Sequence, residues 1–404
     1  PTVLIMTPYV KQGVERYPSR NLENVISWFT ARGYAVAQAH VRGTGESGGC
    51  LEQTAANQIA DGATVVEFLG RDAPWTNGSV GMYGISYDGE TQISTAGLGD
   101  PQKLKYLKAI IPSETVAGQY EWNNYDGVPF TGQGALGVAS YLLTSYEGTG
   151  SQAAPTAYAE KATCQPELVA MGADPSGGMN PFWAAREYRP GAKNIKAATL
   201  MLHGFADFNV LPLAIAGFFD ELPASTPKAG LFGWWEHNYP DKHAVAAEWA
   251  RRDWLATATA WYDQYLKDID VGADEWPVVQ LQDSSGQWRA EKEFPTTGGP
   301  AGQLALGANG VLGGAMPVTA SWQMVGGAQN LVWTTPALAA PLHLSGQPVV
   351  DLNVASSNPA APITAILEVL GPDGAVQRLS GNFNVRTAGT RSLAFLDPME
   401  KGWF

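Results

Sequence analysis

The chain has 404 residues, 45% of them hydrophobic and 16% charged, which is enough apolar material for a large core in two or three domains. A formal net charge of −13 would repel a phosphate backbone, so nucleic acid is excluded as an expected partner. No apolar run reaches the roughly 18 residues that a membrane-spanning helix needs, so no membrane partner is expected either.

The chain opens at Pro1-Thr2-Val3-Leu4-Ile5-Met6, inside a predicted strand and without an initiator methionine. Upstream sequence, with room for a signal peptide, is expected to be missing. Val3 to Met6 reads as a buried strand, with Thr7-Pro8-Tyr9 as its exit loop. Asn21 caps a predicted helix through Ala31, with Leu22, Val25, Ile26 and Phe29 on one face and Gly33 stopping it. Tyr34 to Val41 is the next strand. It runs into Arg42-Gly43-Thr44-Gly45-Glu46-Ser47-Gly48-Gly49. This loop lacks the Lys-Ser/Thr ending of a phosphate loop and the spacing of a dinucleotide site, so no cofactor is expected from it. A helix over 57–69 follows, and Trp75-Thr76-Asn77-Gly78 turns into the next strand.

That strand, Val80-Gly81-Met82-Tyr83, leads into Gly84-Ile85-Ser86-Tyr87-Asp88-Gly89 and then a predicted helix from Glu90 to Ala96. Strand, tight turn and helix in that order are what a nucleophile elbow needs. The usual spelling is G-x-S-x-G. Here the second glycine comes one place late, and Asp88 stands in its position. Leu107 to Ile111 is a further strand, ended by Pro112. Residues 113–192 then break the alternation and read as a cap inserted over the sheet. Alternation resumes at Ala197 and ends with a helix from Ala244 to Leu266. After Val271 come short β segments over 277–282, 331–334, 342–344, 349–354 and 363–370, which read as a β sandwich.

The partners of Ser86 follow by elimination. In a hydrolase with this elbow, the acid and then the histidine follow the serine in the chain. Asp207 lies on the loop after the strand that ends at His203, where a triad acid belongs. Of the five histidines, His40 precedes the serine and His203 ends that strand. That leaves His237, His243 and His343. His237 follows the short strand 229–233 and fits best; His243 opens the last helix, and His343 lies in the β-rich region. A serine hydroxyl is a poor nucleophile until an imidazole takes its proton, and a carboxylate holds that ring. Ser86, Asp207 and His237 are therefore the expected triad, and no metal is called for.

With these residues in place, the chain resembles the Xaa-Pro dipeptidyl-peptidase and cocaine-esterase-like group of α/β-hydrolases. Thr7-Pro8-Tyr9 resembles the family's Pro-Tyr, and 42–49 its R-G-x-G-x-S-x-G loop. Residues 75–87 resemble its approach to the elbow, and His203-Gly204-Phe205-Ala206-Asp207-Phe208-Asn209-Val210 resembles its dipeptidyl-peptidase branch. His40 departs from the Asp that many relatives carry before the R-G loop. The resemblance implies an α/β fold: an α/β-hydrolase sheet with an inserted helical cap and a C-terminal jelly-roll sandwich. The expected domains are 1–112 with 193–270 for catalysis, 113–192 for the cap and 271–404 for the sandwich, complete or incomplete. The resemblance also implies an oxyanion hole made by the Tyr9 hydroxyl and the Tyr87 backbone N–H, and a substrate contact from Asn209. It implies a serine hydrolase that releases N-terminal Xaa-Pro dipeptides, with an esterase or amidase as the alternative and a small peptide or ester as substrate. A proline slot needs an apolar wall, for which Trp122 and Tyr125 are candidates. Glu114, Glu121 and Asp126 are unranked candidates for holding the substrate's amine. A binding protein with an inactive α/β part is the contrasting reading, and the intact triad order argues against it. Cys50 and Cys164 read equally as one disulfide or as two separate thiols. Low lysine with many Gly, Ala, Thr and Trp residues leans towards a secreted, extracellular protein, with a cytoplasmic one as the alternative.

Overall fold

In the computed structural model of the chain, strand β1 (Thr2–Thr7) is buried along its whole length, and its side chains alternate between two cores. Val3 and Ile5 point into one core, and Leu4 and Met6 into the other. A strand apolar on both faces belongs in the middle of a parallel sheet covered on both sides. The structure describes residues 1–9, 22–44, 47–125, 128–129, 178–207, 210, 212–242, 249–283, 285–294, 302–313, 331–340, 342, 344, 350–353, 362–378, 390–392 and 401–403.

Helix α1 (Leu22–Thr30), strand β2 (Ala35–His40), helix α2 (Ala56–Arg71), strand β3 (Val80–Ile85), helix α3 (Tyr87–Leu98) and strand β4 (Leu107–Ser113) follow in alternation. Next come helix α4 (Gln119–Asn123), the two-residue strands β5 (Asn124–Tyr125) and β6 (Val128–Pro129), and the short helix α5 (Pro181–Ala184). In α5, Pro181 takes the first turn, and the Asn180 side chain accepts from the N–H groups of Phe182 and Trp183. These short elements and a 3₁₀ turn at Arg189–Asn194 are what the described residues contain of the segment expected as a cap; 130–177 lie outside them.

Strand β7 (Ala198–Gly204), helix α6 (Leu213–Asp220), strand β8 (Lys228–Gly233) and helix α7 (Trp254–Lys267) resume the alternation. Strands β9 (Val279–Gln282) and β10 (Trp288–Glu291) complete one eight-stranded sheet, in the order β10-β9-β8-β7-β4-β3-β1-β2. Every neighbouring pair is parallel except β9 and β10. Residues of α2, α3 and α6 pack in the core of one face, and residues of α1 and α7 in the core of the other. This α/β architecture is the one expected.

Three details differ from the sequence reading. The segment 277–282, expected in the sandwich, pairs with this sheet instead, because the hairpin β9–β10 adds to its edge. Its turn is held by Asp283 Oδ1, which accepts from the N–H groups of Ser285 and Gln287. Strand β4 runs through Pro112, which lies opposite Gly84, and reaches Ser113 opposite Ile85. Helix α7 starts at Trp254 rather than Ala244. Trp249 to Asp253 are not helical, and the Arg251 N–H donates to Pro240 O instead of to a helical neighbour.

The described chain forms two compact units, Pro1–Phe294 with Pro348–Phe404, and Pro295–Gln347. The second unit contains a one-turn 3₁₀ segment at Ala308–Gly310 and the bridges Leu306–Leu312 and Val311–Thr334. In the region expected as a sandwich, the first unit contains three antiparallel pairs. They are β11 (Asp351–Asn353) with β16 (Lys401–Trp403), β12 (Pro362–Thr364) with β15 (Thr390–Ser392), and β13 (Glu368–Leu370) with β14 (Val376–Arg378).

Candidate active site

The C-terminal ends of β1, β3, β7 and β8 carry the candidate residues, as open parallel sheets place their sites. Ser86 sits between β3 and α3 with φ +65° and ψ −127°. A non-glycine residue in that region is strained, and the strain turns its hydroxyl out of the sheet. The neighbouring glycines show why the turn closes. Gly84 has φ +155°, and a Cβ there would stand 2.3 Å from the Cβ of Asp88. A Cβ on Gly89 would stand 2.7 Å from the Thr115 Cβ and 2.9 Å from Ser113 O. The late second glycine is thus the one that lets α3 approach the end of β4, while Asp88 packs over Gly84. The Ser86 N–H donates to Ser113 O at 2.9 Å.

Asp207 and His237 are both buried, and the His237 Nδ1 lies 2.7 Å from Asp207 Oδ2. The other oxygen, Oδ1, accepts the Val210 N–H at 2.8 Å. Burial raises the Asp207 carboxyl, but the hydrogen bond and charge of His237, His203 and the Val210 N–H outweigh it, so its pKa lies below the ordinary value. A carboxylate on Nδ1 leaves Nε2 as the proton acceptor. That Nε2 is buried and has no hydrogen-bond partner among the described residues, so it is open to a proton from a nucleophile.

Tyr9 follows β1, and its hydroxyl donates to Ser86 Oγ at 3.0 Å. The Tyr87 backbone N–H reaches the same hydroxyl at 3.4 Å. The two expected oxyanion donors therefore converge beside the nucleophile. The Tyr87 side chain turns away: its hydroxyl donates to Gln58 Oε1 and accepts the Thr54 N–H, and burial holds its pKa above the ordinary value. Trp122 is buried with Val116 and Val210, three residues past the triad acid. Tyr125 is described in its backbone only, and Asn209, Asp126, His243 and His343 lie outside the described residues.

Glu114 is not where an amine-binding acid would be. It is fully buried behind the triad, where Oε2 accepts the Gly204 N–H at 2.9 Å and Oε1 accepts the Trp235 indole N–H at 2.6 Å. Glu114, Asp207 and His237 bring one ligand atom each within 4.8 Å of one another, a spacing that would also suit a metal ion. The donor set does not fit one. Each carboxylate oxygen of Glu114 and Asp207 already holds an N–H group, and the His237 nitrogen of the cluster is bonded to Asp207. Sequence reasoning missed the hydrogen bonds that Glu114 accepts from Gly204 and Trp235, and the full burial of His203, whose Nε2 lies 2.9 Å from Val210 O.

The family model for X-Pro dipeptidyl-peptidase (S15 family) matches residues 1–239, and that for the X-Pro dipeptidyl-peptidase C-terminal non-catalytic domain matches 272–394. The chain is similar to the Xaa-Pro dipeptidyl-peptidase of Lactobacillus delbrueckii subsp. lactis, with 25% identity over 358 residues that cover 80% of this chain and 43% of the relative. It is also 25% identical over 417 residues to the Xaa-Pro dipeptidyl-peptidase of Lactobacillus helveticus, covering 91% of this chain and 51% of that one. A crystal structure of a CocE/NonD family hydrolase from Staphylococcus aureus shares the fold, with a TM-score of 0.58 and 21% identity, over 78% of this chain and 55% of that one. The chain spans about half the length of the curated relatives it matches. Its first 239 residues carry six of the eight sheet strands, the elbow and the hydrogen-bonded Asp207–His237 pair within one family match, and the chain belongs to the X-Pro dipeptidyl-peptidase (S15) family.

Proposed function

We propose that the protein is a serine hydrolase that releases N-terminal Xaa-Pro dipeptides through an acyl-enzyme. The observation that carries hydrolysis is the Tyr9 hydroxyl on Ser86 Oγ in a strained elbow, with a bonded Asp207–His237 pair on the loops that follow β7 and β8 in the same parallel sheet. Family membership supports the dipeptide as product.

His237 Nε2 takes the proton of Ser86 as Oγ attacks the carbonyl carbon of the second residue. The oxygen of the tetrahedral intermediate accepts from the Tyr9 hydroxyl and the Tyr87 N–H, donors already aimed before charge develops. The imidazolium, held by Asp207, returns its proton to the leaving amine. Water then repeats the sequence on the ester and frees the dipeptide. Trp122 walls the proline slot; the sequence-based candidates Tyr125, described in its backbone only, and Asn209 are not placed by the described residues. With Glu114 buried, Glu121 is the candidate for the ammonium among the described residues. It precedes Trp122 on α4, half-buried, 3.5 Å from Arg189.

The test is hydrolysis of Gly-Pro-anilide, its N-acetylated form and a short-chain ester on one preparation. Cleavage of the free-amine anilide, with most activity lost on acetylation, is expected. An unpaired buried acceptor costs about 1–3 kcal/mol, or roughly 5- to 150-fold. Equal cleavage of both anilides, or turnover of the ester alone, would replace the dipeptidyl-peptidase reading with an esterase. We also assign the protein to an oxidising, extracellular compartment. Cys50 is disulfide-bonded, which supports this reading, and Cys164 is the second of the chain's two cysteines. Recovery of the protein in the cell's reducing cytoplasm would reject that assignment.

A further inference from the structure

The end of β4 touches all three loops that carry the triad. Ser113 O receives the N–H of Ser86. The next residue, Glu114, donates its own N–H to Leu202 O on β7 and has φ +44°, a conformation that a non-glycine residue rarely keeps without a reason. The side chain supplies one. Its Oε2 holds Gly204 N–H, at the start of the Asp207 loop, and its Oε1 holds the Trp235 indole, two residues before His237. The two loops are in close contact there. The Ala206 N–H donates to Trp235 O, and a Cβ on Gly204 would stand 2.1 Å from that same oxygen.

We propose that Glu114 is a positioning residue of the triad: its buried carboxyl group clamps the Asp207 loop to the His237 loop and, as a neutral acid, donates a hydrogen bond to the Asp207 carboxylate. The inference rests on the serine-hydrolase reading for its catalytic meaning. Every group that faces Glu114 is consistent with one negative charge in the pocket. From β7, His203 Nε2 stands 3.6 Å from Oε2, but its proton is directed to Val210 O at 2.9 Å, and burial lowers its pKa, so it brings no charge. From the acid loop come the Gly204 N–H and Asp207, one of whose carboxylate oxygens lies within 4.8 Å of a Glu114 oxygen. From the base loop come the Trp235 indole and His237. Burial raises the Glu114 carboxyl well above the ordinary value, and the neighbouring Asp207 charge raises it further, against the pull of the Gly204 and Trp235 bonds. Asp207 moves the opposite way. Of the two acids, Glu114 keeps its proton and Asp207 carries the charge that His237 needs.

The experiment follows the rate of Ser86 labelling by a fluorophosphonate against pH in the wild type, E114Q and E114A, with near-ultraviolet circular dichroism as the check on folding. This reagent reads nucleophilicity without using the dipeptide pocket. Folded E114A should be labelled about 100-fold more slowly, the order expected when a catalytic group is displaced by about 1 Å. E114Q, neutral and of the same shape, should stay within about 10-fold of wild type. The wild-type rate should fall on the alkaline side as Glu114 ionises beside Asp207, and the E114Q rate should lack that fall. The infrared difference between wild type and E114Q at neutral pH should contain the C=O stretch of a protonated carboxyl. Wild-type labelling rates in folded E114A, an alkaline fall retained in E114Q, or no protonated-carboxyl band would overturn the proposal. If E114A does not fold, the E114Q profile and the infrared band decide. A wild type that shows the band but is never labelled would reject the hydrolase reading and leave the neutral acid in place.

Discussion

Replacing Glu90 with Gln should make the protein relatively more stable as pH rises. Glu90 lies on α3, one turn after the nucleophile, and is 7% exposed. Its Oε2 accepts from Thr54 Oγ1 at 3.0 Å and from the Gln119 side-chain amide, and Gln119 accepts in turn from Gln53. Gln53 and Thr54 both have positive φ, +50° and +59°. The carboxyl therefore joins a strained loop, the nucleophile helix and the first turn of α4. Burial pushes its pKa from 4.5 up to about 7, against the pull of the Thr54 and Gln119 bonds. Tyr87 and Tyr188 face it, both with pKa values raised, first by burial and then by its charge. An acid whose folded pKa is raised binds its proton more tightly in the native state. Its contribution is full below the unfolded pKa and is lost as pH rises through the folded one. Over this window the loss is about 3 kcal/mol. At roughly 2 °C per kcal/mol for a domain of this size, it corresponds to about 5–7 °C. Glu90→Gln has no proton to lose. Its melting temperature minus that of wild type should climb by that amount between about pH 5 and about pH 8, measured by scanning calorimetry. Parallel melting curves across the range would refute a buried, neutral Glu90.

Ser86→Ala should lower kcat by roughly 10⁴–10⁶-fold in a folded protein, and His237→Ala by a similar factor, because the pair acts as a unit. Near wild-type turnover in either variant, measured on the anilide or the ester, would remove that residue from the triad. Tyr9→Phe keeps the ring and deletes the donor that reaches Ser86 Oγ. The expected loss is about 10²–10³-fold in kcat with little change in KM. An effect confined to KM would make Tyr9 a pocket wall.

How much of this was legible beforehand depended on sequence distance. The elbow is local: an apolar strand, a Gly-bounded serine and a helix lie within 19 residues of one another, and each signal supports the next. Asp207 and His237 are remote from Ser86 in sequence, yet the order of strands in a parallel sheet makes their loops predictable. Glu114 had no such rule. Its role depends on β4, β7 and β8 ending side by side, which brings its carboxyl to Gly204 and Trp235, 90 and 121 residues away. The sequence leaves it unranked beside Glu121 and Asp126 as a candidate for the substrate amine. The edge strands failed for a different reason. Val279-Gln280-Leu281-Gln282 alternates as any half-buried strand does, and alternation does not say which sheet the strand joins. The start of α7 was misplaced because helix propensity extends through 244–253, whereas Arg251 is held by Pro240.

The misplaced glycine of the elbow and the misread glutamate have one origin. G-x-S-x-G assumes that the residue two after the nucleophile must be small for the helix to approach. Here the tight approach is between Gly89 and the Ser113–Thr115 segment, and Asp88 instead covers Gly84. That same segment receives the Ser86 N–H and extends the Glu114 side chain to both other loops. Bulk at position 89 would therefore press on the brace as well as on the elbow. The three loops that carry Ser86, Asp207 and His237 all bond to the end of β4, so on the proposed mechanism a small shift there would displace all three together. Geometry of this kind is transmitted through packed backbone, which yields little. On the proposed mechanism, the placing of Ser86, Asp207 and His237 then depends on residues 113–115 as well as on the three residues themselves.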